Sequence, residues 1–119
     1  MIKYFIAVTT LLFCFSVRAG GFVEGLEDIP VPAEMQQEQS DSLSFGNEES
    51  RLVEAILTSN RIGFKKAAFF YKNTLPQMGW IYQGDREQTL VFEREGEVLE
   101  ISKESDKPLK IRLTVKSKI

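Results

Sequence analysis

The sequence predicts an α+β fold, with one amphipathic helix packed on one face of a mainly antiparallel four- to five-stranded sheet (β-α-β-β-β-β) and an acidic, extended N-terminal segment in front. Three observations predict it. Between Phe64 and Met78, apolar residues recur at steps of three and four, the spacing that aligns side chains on one side of a helix. From Trp80 to Lys116 the period falls to two, and turn-forming residues interrupt the run. Between Gly20 and Ser50 stand eight Asp and Glu and no Lys or Arg, while Pro30, Pro32 and the glutamine-rich run from Gln36 to Gln39 dilute the apolar residues. That composition does not build a core of its own.

The chain begins as an export signal. Lys3 supplies the positive start, Phe5 to Val17 is an uncharged apolar stretch too short to span a bilayer, and Val17-Arg18-Ala19 has the small-x-small form of a cleavage site. Cleavage is expected between Ala19 and Gly20, with an uncleaved anchor as one alternative and a lipoprotein as another. The lipoprotein reading would make Cys14 the lipid-bearing residue, but the bulky Phe13 stands where that processing needs a small one. The expected organisation is a signal peptide over 1–19, the acidic lead over 20–50 and a small α+β domain over 51–119.

The lead should be largely extended. Phe22, Val23, Leu26, Ile29 and Val31 are apolar enough to dock on something, and Ile29-Pro30-Val31-Pro32 favours a polyproline-like path. Leu43 and Phe45 alternate with serines, as in a short edge strand ended by Gly46-Asn47. From Arg51 onward thirteen Lys and Arg face nine Asp and Glu. Opposite charge on lead and body leaves two arrangements open: the lead tucked along the domain, or trailing free.

The body opens with Arg51 to Thr58, a strand apolar on both faces. Phe64, Ala67, Ala68, Tyr71, Leu75 and Met78 then mark the buried face of the helix, with Lys65, Lys66, Lys72 and Asn73 turned away and Phe69 off the main stripe. Gly79 is a suitable stop, because a residue without Cβ adopts the left-handed closing conformation at little cost. Pro76 removes a hydrogen bond and predicts a kink or a loosened last turn. Four strands follow, over 80–83, 88–94, 97–103 and 109–116, with turns expected at Gly84-Asp85, Glu95-Gly96 and Ser105 to Pro108. In the last strand Leu109, Ile111, Leu113 and Val115 share one face and Lys110, Arg112, Thr114 and Lys116 the other.

The run from Phe70-Tyr71 through Leu75-Pro76 to Gly79-Trp80 resembles the "FY…LPxxGW" helix-to-strand element of small uncharacterised exported proteins and lipoproteins of Gram-negative bacteria. The resemblance implies a helix ending at Gly-Trp, an antiparallel hairpin after it, and an envelope location. It carries no known activity.

The residue inventory narrows the chemistry further. The chain has no histidine, and its single cysteine, Cys14, leaves with the signal. Histidine-activated nucleophiles, zinc sites built on His or Cys, axial-His haem and CxxC redox chemistry are therefore excluded. Glu24, Glu27 and Asp28 lack the spacing of a calcium loop. Glu93, Glu95, Glu97 and Glu100 lie around one hairpin, where strand carboxylates pair with cations such as Arg94 or Lys103 more often than they act on a sugar. Lys110, Arg112, Lys116 and Lys118 form a basic face suited either to solubility or to anionic headgroups. No catalytic residue, cofactor or metal is expected, and no nucleic-acid partner.

The reading that follows is a monomeric, non-catalytic periplasmic protein working by contact with an unknown envelope protein, with membrane contact at most peripheral. Candidate contact residues are Phe22, Val23, Leu26, Ile29, Val31 and Phe69. The alternative is a small-ligand binder with a pocket between helix and sheet.

Overall fold

A computed structural model describes residues 19–38, 43–46 and 51–117. The expected signal up to Arg18 with Cys14, the stretches 39–42 and 47–50, and Lys118 lie outside the described residues. Elements run in the order β1 (Ala19–Val23), β2 (Leu26–Pro32), β3 (Gln36–Gln37), β4 (Leu43–Gly46), β5 (Arg51–Ser59), α1 (Phe64–Thr74), a 3-10 turn (Leu75–Met78), β6 (Ile81–Arg86), β7 (Thr89–Arg94), β8 (Glu97–Asp106) and β9 (Leu109–Ser117).

The fold is α+β with a mainly antiparallel sheet, as expected, but the sheet is larger. Seven strands pair in the order β3-β5-β9-β8-β7-β6, with β4 also on β5, and β1 and β2 form a separate two-stranded hairpin. The extra strands come from the lead. β3 and β4 bond successive stretches of the same outer edge of β5, Gln36 opposite Thr58 and Leu43 opposite Glu54. Their shortness hid β3 from any periodicity argument.

Parity puts one apolar face on the sheet. Val53, Ala55 and Leu57, Leu90 and Phe92, Leu99 and Ile101, and Leu109, Ile111, Leu113 and Val115 are all buried in a single core. The helix covers part of it with Ala67, Phe70 and Tyr71, continued by Leu75. The hairpin covers the rest with Val23, Leu26, Ile29 and Val31, joined by Met35. Each large apolar side chain so buried contributes about 1.5–3 kcal/mol. Among the described residues, the β1–β2 hairpin and Met35 of the lead are thus part of the core.

Pro76 acts as expected. The α-helix stops at Thr74, and the chain tightens into the 3-10 turn with Pro76 in its first turn, where the missing N–H costs nothing. Gly79 then takes φ +94°, with Gly79 N–H donating to Pro76 O at 3.2 Å and Trp80 N–H to Leu75 O at 3.1 Å. These are the two bonds of a Schellman motif, and its apolar contact is supplied by buried Leu75 and Trp80.

One turn differs from the sequence reading. The β6–β7 reversal falls at Glu87-Gln88, both at positive φ (48° and 67°), between paired Arg86 and Thr89. Gly84 instead marks a bulge that leaves Gln83 out of the register between Tyr82 and Gly84. Glycine serves a turn and a bulge equally well, so its presence could not separate the two. The Glu95-Gly96 turn, and the turn between Asp106 and Leu109, stand where expected.

Candidate functional site

Of the residues expected to make contacts, Val23, Leu26, Ile29 and Val31 are consumed by the protein's own core, at 6% exposure or less. Their apolar character had a domestic use: the sheet face is wider than one helix can cover. Phe22 and Phe69 remain exposed, at 53% and 64%. A third large apolar side chain, Ile81 at 65%, joins them. It was legible in principle, since Trp80 and Tyr82 face inward and strand alternation turns the residue between them outward. The expected cleavage pair opens β1, with Ala19 opposite Pro32.

The helix end, the sheet and the lead meet at Trp80. Its side chain is 1% exposed, with Nε1 buried without an acceptor among the described residues. The Arg94 guanidinium lies 4.3 Å from the centre of the indole ring. The same guanidinium donates to Met78 O at 3.0 Å and pairs with the Asp28 carboxylate of β2. A Cβ at Gly79 would sit 3.2 Å from Arg94 Cδ, so the glycine also makes room for this clamp. Arg94 therefore answers an acid of the lead rather than one of its own hairpin, because its strand position turns it to the inner face.

Nearby, the Tyr71 hydroxyl donates to Pro30 O at 2.6 Å, fastening the helix to β2. Complete burial pushes this phenol far above its ordinary range. Tyr82 is raised too, first by burial and then by the hydrogen bond it donates to Asp85 at 2.9 Å. Neither ring is poised as a base at neutral pH.

The outer sheet face is a ladder of paired charges. Lys110 meets Glu38 at 3.3 Å, Arg112 meets Glu54 at 3.2 Å and Glu104 at 3.1 Å, and Lys116 meets Glu100 at 3.5 Å. Arg112 is held above its ordinary value, chiefly by its hydrogen bond to Glu104. Lys103 pairs with Asp106 at 2.6 Å. Lys110, Arg112 and Lys116 of the basic face read from the last strand are thus paired, partly by Glu38 of the lead.

Among the described residues no three acidic or thiol groups converge on a metal position. Glu27 accepts from Gly25 N–H at 3.2 Å, and Glu24 N–H is bound to Gln37 Oε1 at 2.7 Å. The space between helix and sheet is filled by Trp80, Tyr71, Phe92 and their neighbours. Open grooves among the described residues include one of about 540 Å3 between Ser59–Gly63 and Asp106–Leu109, and one of about 480 Å3 bordered by Arg86, Glu87, Thr89, Glu100 and Ser102.

Comparison with known proteins adds no relative. No family model matches the chain, and no curated protein or solved structure matches it significantly. Among the described residues no helix is long and apolar enough to cross a membrane.

Proposed function

We propose that the chain is a non-catalytic periplasmic protein that acts by contact with another envelope protein. The single observation that carries this reading is the exposure of Phe22 and Ile81, each more than half open to water, on strands whose inward-facing apolar side chains are packed in the core. Large apolar residues held at a surface by a rigid sheet are the usual anchors of protein contacts. The envelope location is supported by the export-signal character of residues 1–19 and by the resemblance of the Phe70 to Trp80 element. The non-catalytic reading is supported by the absence of histidine and of mature cysteine.

The core role of the hairpin dictates the test. Removing residues 22–38 would take five buried core side chains with it, so a deletion would report unfolding rather than lost contact. A photo-crosslinking residue placed singly at Phe22 or Ile81 in the tagged full chain, expressed in its own envelope, avoids this. Recurrent crosslinks from both positions to one envelope protein are the expected result. No intermolecular product from either position would sink the proposal and return attention to small ligands at the two grooves.

A further inference from the structure

We propose that the outward face of α1 is a docking surface for an anionic lipid leaflet, with Phe69 entering the headgroup boundary and Lys65, Lys66 and Lys72 meeting phosphates. Three observations carry it. First, the stretch from Ala55 to Gly84 contains Arg61, Lys65, Lys66 and Lys72 and no Asp or Glu. A merely solvated helix face usually mixes signs, with acids spaced to pair with lysines one turn on; this one carries a single sign. Second, the cations along β9 are matched to carboxylates, Lys110 and Lys116 to one each and Arg112 to two. Those on the helix have no ion pair among the described residues, and the Lys72 ammonium rests 5.2 Å from the Tyr82 ring centre instead. Third, helical spacing puts Phe69 four residues after Lys65 and three from both Lys66 and Lys72, so the exposed ring sits inside a bracket of ammonium groups.

Placement against stability strengthens the argument. Lys65 and Lys66 occupy the first turn of the helix, which holds no acid and whose Gly63 cap makes no side-chain bond. The helix dipole disfavours positive charge there, so these lysines weaken the element that carries them. A lipid surface is favoured over an acidic protein by composition: interface cores between proteins are depleted in lysine, whereas lysines around an aromatic suit the lipid headgroup region.

The inference takes from the proposed function only an envelope location, which supplies the leaflet; it does not need the contacts at Phe22 and Ile81. The test is sedimentation of the mature chain with vesicles of phosphatidylcholine alone or containing phosphatidylglycerol. Binding is expected only with the anionic lipid, and should weaken as salt rises. The double variant Lys65→Glu/Lys66→Glu should lose at least about tenfold in binding while its Tm stays level or rises, because acids now sit at the helix N-terminus. Phe69→Ser should lose several-fold without a fall in Tm, and Lys116→Glu, on the opposite face, should bind as the parent does. Absence of binding to anionic vesicles, or equal losses in the Lys116 variant, would overturn the proposal. So would a Phe69 photo-crosslink to an acidic protein in the absence of vesicle binding, whereas vesicle failure leaves the Ile81 crosslinks intact as a separate result.

Discussion

The helix and the β1–β2 hairpin cover adjoining parts of one apolar sheet face, and they reached it from opposite kinds of sequence. The helix carries its buried stripe at regular spacing and its lysines outside. The hairpin carries three acids and two prolines among its apolar residues, and taken alone resembles a solvated tail. Yet Ile29 of the hairpin and Leu75 of the 3-10 turn that continues the helix are both fully buried. Composition measures whether a segment can build a core; it does not measure whether the segment can complete one that another segment has begun. Here the sheet supplies more than half of the buried core residues among those described, and the hairpin needs only to add Val23, Leu26, Ile29 and Val31.

The largest expected effect tests the point where the two covers meet. Trp80→Ala should cost about 3–5 kcal/mol, read as a fall in the denaturant midpoint, because the indole is buried between the helix end and the Arg94–Asp28 clamp. A loss below about 1 kcal/mol would mean that the junction does not hold the covers together.

Next come Ile29→Ala and Leu75→Ala, each expected to cost about 2–5 kcal/mol. The informative quantity is the pair. Similar losses, with one cooperative transition in each variant, make the hairpin as integral as the helix. A much smaller loss at Ile29 would mean a hairpin that lies on the domain without sharing its cooperativity.

Tyr71→Phe isolates the direct bond between the covers and should cost about 1 kcal/mol at neutral pH, since it leaves Pro30 O without its donor. The pH dependence sharpens the assignment. Burial raises the Tyr71 phenol above its ordinary 10.0 in the folded state, so above that pH the unfolded chain loses the proton first. Its contribution is therefore complete below pH 10 and is lost as the pH climbs, with a slope of up to about 1.4 kcal/mol per pH unit. Urea titrations between pH 9 and 11 should show a shallower alkaline decline in Tyr71→Phe than in the parent. Parallel declines would mean that Tyr71 is not buried in the folded chain.

How much of this was legible follows the same divide. The helix, its loosened end at Pro76 and its stop at Gly79 were readable because propensity, periodicity and capping agree there. β7, β8 and β9 were readable from alternation, and the β9 face came out residue by residue. The hairpin was half visible: its apolar residues drew attention, but their destination depended on how much sheet the helix leaves uncovered, a tertiary quantity. The Gly84 bulge was misread as a turn because the reversal uses Glu87-Gln88, residues with little preference for the positive φ they adopt. At the surface, Phe69 was readable as an off-stripe residue and Ile81 could have been read from alternation between Trp80 and Tyr82, while the carboxylate partners of Lys110, Arg112 and Lys116 required the register.

The smallest expected effect concerns the charge that links lead and body. Asp28→Asn keeps the side chain's shape and one oxygen acceptor but removes the charge facing Arg94, whose guanidinium also bonds Met78 O and stacks on Trp80. The Asp28 side chain is 46% exposed and that of Arg94 22%, so water and salt screen the pair and its loss should cost no more than about 1 kcal/mol. Arg94→Ala should cost more, because it also strips the guanidinium from the indole face and leaves Met78 O without its donor. If the linkage is electrostatic, the gap between parent and Asp28→Asn should narrow in high salt, where charges more than about 3 Å apart at 1 M are increasingly screened, while the Arg94→Ala deficit persists. Equal deficits for the two variants at every salt concentration would mean that Asp28 holds Arg94 in place for its other contacts. The polar part of the lead's attachment at Asp28 would then come from a positioned guanidinium rather than from attraction between an acidic segment and a basic body.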